Sequence, residues 1–192
     1  AKRPNSSLTI MKFQFLRIIL DHEHYISINK VMVDPVMGDS QTIVDFCRTH
    51  HLLSTLVINE VITVIGATQS FTHSDPRSHA VKLLTHLLFK HSVDERYQKQ
   101  KLQHSIAAMY FPFVVGLIEE EKRTNIFTGT NAKMNTEDLR HILLAFLWIV
   151  RNVGPAFLRK WLLKDTDSNW KFFQILWKAL DFFDPEQKSR GS

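Results

Sequence analysis

Apolar residues recur along the chain at every third or fourth position, the spacing of an α-helix. The stretch 80–123 shows this pattern twice, on either side of a polar hinge at 91–97. The apolar positions of its two halves are Val81, Leu84, Leu87 and Leu88, followed by Ile106, Met109, Tyr110, Phe113, Val114 and Leu117. Such stripes are typical of the buried faces of amphipathic helices. The stretch therefore predicts two helices that pack on each other and on their neighbours.

Helix start and stop signals extend this pattern to most of the chain. Together with the spacing of apolar residues they predict helices near 8–21, 40–51, 52–65, 75–90, 94–121, 139–152, 156–164 and 169–183. Asp75 before Pro76 is a strong start. Asn135 or Thr136 caps one later helix, and Asp167 or Ser168 caps the last. Pro112 lies inside a long helix, which it should kink near Ala108.

The segment 52–65 carries conflicting signals. It is rich in β-branched residues, which favours a strand. Its apolar residues nevertheless keep the helical period, and the run is longer than a usual strand. The first helix, 8–21, is apolar on most sides, which predicts burial between neighbours. We therefore expect a helix at both places.

The order of these elements indicates the fold class. Helix pairs recur about every 40 residues, as in HEAT and armadillo repeats. The sequence predicts an all-α protein, an α-solenoid stack of about seven helices forming a single module over 1–192. The stretch 122–135 is polar, with Gly129 and Asn131, and predicts a flexible linker. Polar residues at both ends, Ala1–Ser7 and Gly191-Ser192, suggest a piece of a larger protein.

Composition excludes several classes of protein. The 192 residues are 44% hydrophobic, enough for a sizeable core. The net charge of +5 is spread along the chain without a basic block, so we expect no nucleic-acid partner. No run reaches the roughly 18 apolar residues of a membrane span, so any membrane contact would be indirect. A single cysteine, Cys47, excludes a disulfide framework and favours a cytoplasmic location.

Several residues could carry chemistry, but none forms a recognisable catalytic pattern. His22-Glu23-His24 and His50-His51 are possible metal ligands, yet no histidine pair has the spacing of a metalloprotease helix. Cys47 lies three and four residues before the second pair, so a thiol and an imidazole could meet. A nucleophile would also need an oxyanion site and an orienting group. We expect no catalytic, cofactor or metal site.

The tryptophans and the basic residues of the central helices are better surface candidates. Trp148 and Trp177 lie in apolar stripes and are predicted to be core. A protein-interaction surface is predicted at the remaining large aromatic positions, Trp161, Trp170, Phe182 and Phe183. Two histidines share a helix face with two lysines, and this pattern most simply predicts a solvated face: His79, Lys82, His86 and Lys90.

One family shares several stretches with this chain. The stretch 83–120, LLTHLLFKHSVDERYQKQKLQHSIAAMYFPFVVGLIEE, resembles the dedicator-of-cytokinesis (DOCK) family of atypical guanine-nucleotide exchange factors. The stretches 22–29, HEHYISIN, 46–60, and 138–151, DLRHILLAFLWIVR, are also similar and follow the family order. Two departures stand out: the segment 30–35 lacks the expected Leu-Pro pattern, and 122–135 is shorter than the family's serine-rich insert.

The resemblance implies a place within a much larger protein. Members of the family carry a lipid-binding domain, an armadillo-like helical region and a domain that exchanges nucleotide on Rho-family GTPases. This chain would lie in the helical region, and the exchange site would lie outside it. The implied partners are neighbouring domains of the same protein, an adaptor protein or a second copy, and a Rho-family GTPase through the exchange domain.

Three functional hypotheses follow. The first is a non-catalytic scaffold that positions the membrane-binding and exchange domains and offers an interaction surface. The alternative is a stand-alone adaptor that binds an amphipathic helix. A histidine-dependent hydrolase or metalloenzyme is the third. A scaffold within a longer stack predicts apolar outer faces on the helices at 8–21 and 169–183, whereas a stand-alone module predicts polar ones.

Overall fold

The computed structural model describes residues 6–28, 36–67, 76–127 and 134–184, and within these ranges every regular element is helical. The α-helices are α1 (Ser6–Leu20), α2 (Tyr25–Ile28), α3 (Ser40–His50), α4 (Leu52–Ile65), α5 (Pro76–Val93), α6 (Gln100–Thr124), α7 (Thr136–Asn152), α8 (Pro155–Lys164) and α9 (Thr166–Phe183). A 3₁₀ turn, Glu95–Tyr97, joins α5 to α6. The predicted all-α class is confirmed, including one unbroken helix over the β-branched segment Leu52–Ile65.

Helix α6 is the centre of the core. It packs on α3, α4, α7 and α9, and its residues from 106 to 118 are buried except for Gly116, which is half-buried. Pro112 lies within this helix, which continues across it. The predicted start at residue 94 is wrong because Asp94 caps the 3₁₀ turn, its carboxylate accepting the Arg96 N–H at 3.0 Å.

Helices α4 and α6 approach each other closely at Gly116. A Cβ atom at this position would lie 2.8 Å from Cγ1 of Ile62, closer than such carbon atoms normally come. The absence of a side chain at Gly116 thus allows the Ile62 side chain to lie directly against the backbone of α6. This contact joins the central helix to the amino-terminal half of the fold.

The apolar character of α6 reflects this central position. By length and composition α6 could cross a membrane, and α7 with α8 could do so only as a pair bent by 104°. Within the described residues, however, 67% of the apolar window of α6 is buried against other helices. Helix α6 is therefore apolar in the way that a helix buried in a protein core is.

The helices pack mainly on near neighbours in the sequence. Besides the contacts of α6, α4 packs on α3 and α5, α5 on α7, and α9 on α7 and α8. Helix α1 packs on α5, where the Lys90 ammonium donates to the Leu20 and Asp21 carbonyl groups at 3.2 and 2.8 Å. These carbonyl groups lie at the C-terminal end of α1, where a cation is favourable.

The helix ends confirm some predicted caps and correct others. Asn135 caps α7 as predicted, its side-chain oxygen accepting the Asp138 N–H at 2.7 Å. The predicted caps Asp167 and Ser168 are wrong, because α9 begins at Thr166 with Asp165 at the cap position. Asp165 instead accepts the Ser40 N–H at 3.0 Å, which ties the α8–α9 corner to α3. The predicted cap Asp75 and the segment 30–35 lie outside the described residues.

The structure describes both ends of the predicted linker 122–135. Helix α6 continues to Thr124, and Phe127 beyond it is buried. The Phe127 N–H donates to Oε2 of Glu121 at 2.8 Å, and Oε1 of that buried carboxylate lies 3.7 Å from the Lys171 ammonium. Phe127 is therefore tied to the core, and residues 128–133 lie outside the described residues.

Candidate protein-interaction surfaces

Helix α9 has two apolar faces. One consists of Ser168, Phe172, Ile175 and Ala179 and is buried against the core. The other, which we call the α9 outer stripe, consists of Trp170, Phe173, Trp177 and Leu180 and is at least half exposed throughout. Its members follow one another at three, four and three residues, the spacing with which a helix contacts a partner helix. One apolar face of α9 thus lacks a covering element within the described residues.

Helix α1 repeats this arrangement. Its inward residues Phe13, Leu16 and Leu20 are buried. The α1 outer stripe has the same spacing as that of α9, with every member more than 60% exposed: Leu8, Met11, Phe15 and Ile18. The prediction that this helix is buried between neighbours is therefore wrong for one face within the described residues. The helices at both ends of the described fold offer an apolar surface of about 15 Å in length, because ten residues of helix rise by that amount.

A groove of about 360 Å³ runs between α7 and α9, beside the α9 outer stripe. Its lining is apolar along most of its length and acidic at one end: Leu147, Trp177, Ala179, Leu180, Asp181, Phe183 and Asp184. Phe182 and Phe183 are half-buried, with ring centroids 5.1 Å apart and the rings nearly perpendicular. The groove could receive an apolar side chain of a helix that docks on the outer stripe.

The tryptophans do not all lie where the sequence predicts. Trp170 is 70% exposed, but Trp161 is buried, so its predicted role as an exposed anchor is wrong. The Trp161 indole packs edge-on against Phe111 and Phe172, with centroid distances of 5.1 and 5.3 Å, and donates to the Ser40 hydroxyl at 3.1 Å. Trp177, predicted to be core, is 74% exposed.

Three polar side chains form a chain of hydrogen bonds in the core. The Tyr110 hydroxyl donates to the Tyr25 hydroxyl at 3.2 Å and lies 3.1 Å from Nε2 of His91, which is therefore the protonated ring nitrogen. Burial lowers the pKa of His91 to about 3 and raises the pKa of both tyrosines. All three side chains are buried. Without access to solvent, the cluster fixes α2, α5 and α6 together rather than presenting a reactive group.

Cys47 and the neighbouring histidine His50 do not form a reactive pair. Burial raises the pKa of the Cys47 thiol to about 12, and its Sγ atom lies 3.8 Å from the Ala108 carbonyl oxygen. The His50 imidazole stacks on Phe46 instead of meeting the thiol. Among the residues that the structure describes, no three His, Cys, Asp or Glu side chains converge on a point that could hold a metal ion.

Comparisons with known proteins show which family this helical unit resembles. No family model and no solved structure matches the chain. Dedicator of cytokinesis protein 9 of Mus musculus is 37% identical over 124 residues, 60% of this chain. The guanine nucleotide exchange factor SPIKE 1 of Arabidopsis thaliana is 27% identical over 208 residues, 96% of this chain. The resemblance to the DOCK family is confirmed.

The match concerns a small part of each relative. The chain spans 6% of the length of dedicator of cytokinesis protein 9 and 11% of SPIKE 1. Dedicator of cytokinesis protein 8 of Mus musculus, 22% identical over 230 residues, is likewise matched over 11% of its length. The chain is therefore similar to one region of these large proteins.

Proposed function

We propose that this chain is a non-catalytic helical scaffold region of a DOCK-type guanine-nucleotide exchange factor that acts on Rho-family GTPases. The scaffold would position the membrane-binding and exchange domains of the parent protein, which would lie outside this chain. SPIKE 1, whose match covers 96% of this chain, is named as a guanine nucleotide exchange factor. The parent protein would be cytoplasmic and would reach membranes through its other domains.

The pair of outer stripes carries this proposal. A helix inside a stack needs one apolar face for each neighbour, whereas a helix at the end of a finished stack needs only one. Both α1 and α9 have two such faces. The pairing of α4 with α6 and of α5 with α7 further supports an armadillo-like stack, in which helices two apart in sequence lie side by side. The neighbouring segments of the parent protein would cover the two stripes.

Sedimentation tests this scaffold directly. The chain is mixed with the segment of its parent protein that follows residue 192, produced separately, and a 1:1 complex is expected. Trp177→Glu should abolish the complex, because it places a charge in the apolar contact. Leu163→Glu is the matched control, since Leu163 is 72% exposed on α8, away from both stripes. A mixture that does not associate, or equal loss in both variants, would refute the proposal.

The proposal that this chain has no exchange activity of its own needs a separate assay. Release of a fluorescent GDP analogue from purified Rho-family GTPases is followed with and without the chain. We expect the release rate to stay unchanged, because the resemblance to the DOCK family implies that the exchange domain lies outside this chain. Acceleration by the chain alone would place exchange activity within these residues.

The alternative is a stand-alone adaptor that binds an amphipathic helix. The groove beside Trp177 and Leu180 favours it, because its width and apolar lining fit a helix anchor. This alternative predicts that the chain ignores the neighbouring segment yet binds an amphipathic helical peptide through the α9 outer stripe. The same Trp177→Glu variant distinguishes the two outcomes by which ligand is lost.

A further inference from the structure

A second groove, of about 370 Å³, lies between α1 and α5 and differs in character from the first. Its lining combines an apolar floor with polar and basic walls: Phe13, Gln14, Arg17, His79, Lys82, Leu83 and His86. Phe13 and Leu83 form the floor and are only 2 and 4% exposed. On α1 the floor residue Phe13 is about 140° around the helix from Ile18 of the outer stripe, whereas Gln14 on the groove wall borders that stripe.

The polar groups of this groove have few partners in the fold. Within the described ranges, Lys82, His79 and Gln14 make no hydrogen bond and no ion pair. Within the described residues, the carboxylate that contacts this lining is that of Asp21, whose Oδ2 lies 3.9 Å from Nε of Arg17 and whose Oδ1 lies 3.2 Å from Nε2 of His86.

The rim of the groove is positive on balance. Among the described residues, the Asp21 carboxylate faces two permanently charged side chains of the lining, Arg17 and Lys82. The Lys90 ammonium, bound to the Leu20 and Asp21 carbonyl groups, increases the excess at the same end. The described part of the groove therefore has more cationic groups than carboxylates.

We propose that the α1–α5 groove binds an acidic segment of a partner protein. Carboxylate or phosphate groups of that segment pair with Lys82 and Arg17 on the walls, and the Gln14 amide donates to one of them. An apolar side chain between the acidic residues covers the floor of Phe13 and Leu83. This site is separate from the outer stripes and does not depend on the proposed scaffold role.

The shape of the groove favours a peptide over a membrane. A bilayer surface is broad and contacts the groups that protrude most, and Phe13 and Leu83 are recessed between two helices. A peptide side chain is narrow enough to reach them. Membrane binding would instead use the protruding residues of the α1 outer stripe, such as Phe15 and Ile18, and the experiment below separates these outcomes.

The test measures the fluorescence anisotropy of a fluorescein-labelled peptide in which single leucines alternate with pairs of glutamates, against an analogue with glutamine at every acidic position. We expect binding of the acidic peptide only. Lys82→Glu should weaken it about tenfold, since it removes one ion pair and adds a repulsion. Lys160→Glu makes the same change in net charge at an exposed position of α8. It should weaken binding less than twofold.

Two additional measurements locate the ligand. In ¹H–¹⁵N spectra the acidic peptide should shift the Gln14 side-chain amide signal and leave that of the Trp177 indole unchanged. Vesicles of phosphatidylcholine and phosphatidylserine should not sediment the chain. Equal weakening by both charge reversals, shifts at Trp177 alone, or binding to vesicles without binding to the peptide would each overturn the proposal. Lys82 has no partner in the described fold, so thermal unfolding should show both variants folded.

Discussion

The buried imidazole of His91 makes the stability of the fold depend on pH in a calculable way. Burial is the main cause that lowers its pKa from 6.5 to about 3, and the neighbouring Lys90 ammonium adds to the effect. The unfolded chain therefore binds a proton at this residue as pH falls below 6.5, whereas the folded chain stays neutral until about 3. Stability is accordingly complete above pH 6.5 and is lost progressively as pH falls towards 3.

The size of this loss follows from the two pKa values. The linkage relation gives a decrease in the free energy of unfolding of about 2 kcal/mol between pH 7 and pH 5 from His91 alone. Urea unfolding followed by circular dichroism at the two pH values measures it. His91→Gln should lower stability at pH 7 but lose about 2 kcal/mol less than the wild type on going to pH 5.

A matched variant separates burial from hydrogen bonding as the cause. Tyr110→Phe removes the hydroxyl that accepts the His91 Nε2–H and leaves the imidazole buried. It should be less stable than the wild type at both pH values yet keep the wild-type pH dependence, because burial dominates the shift. The reasoning is refuted if His91→Gln and the wild type lose equal free energy between pH 7 and pH 5.

Three further predictions concern packing. Trp161→Ala should lower the free energy of unfolding by about 3–5 kcal/mol, whereas Trp170→Ala should change it by less than about 0.5 kcal/mol in the same urea titration; similar losses would contradict their different burial. Gly116→Ala should cost about 1–3 kcal/mol and be partly rescued by Ile62→Ala, which removes the facing Cγ1 and Cδ1 atoms. An unchanged urea midpoint for the single variant would show that α4 moves aside without cost. Cys47 should react with Ellman's reagent at pH 8 only after unfolding in urea, and rapid reaction of the native chain would contradict its burial.

Helical periodicity was sufficient to predict the longer helices, although not the short helix α2. In Leu52–Ile65 the β-branched residues favour a strand locally, but the positions of Val57, Val61 and Val64 lie on one helix face, and all three are buried in α4. Tertiary burial of a continuous stripe outweighs the modest local preference of each residue. The same reasoning correctly placed the core of α6, whose buried stretch contains nearly every apolar position that the sequence indicated.

Periodicity could not decide which of two apolar faces is buried. Helix α9 carries one stripe through Phe172 and another through Trp177, and both have helical spacing. The choice depends on where α6 and α7 lie, because the stripe through Phe172 is buried and the one through Trp177 is at least half exposed. Trp161 was misplaced for a related reason: the short helix α8 shows little periodicity, and its burial depends on Phe111 and Phe172 from other helices. The α1–α5 groove likewise joins residues more than sixty positions apart.

The anchoring of Phe127 has a consequence for how this region can vary among relatives. The bond from its N–H to Glu121 fixes the chain where it leaves α6, and the Asn135 cap fixes it where α7 begins. The intervening residues 128–133 span two points that the helical core already holds in place. Each doubling in length of such a connection adds only about 0.6 kcal/mol of closure entropy. A long serine-rich insert of the kind expected for the DOCK family could therefore be gained or lost here while every helix contact stays the same.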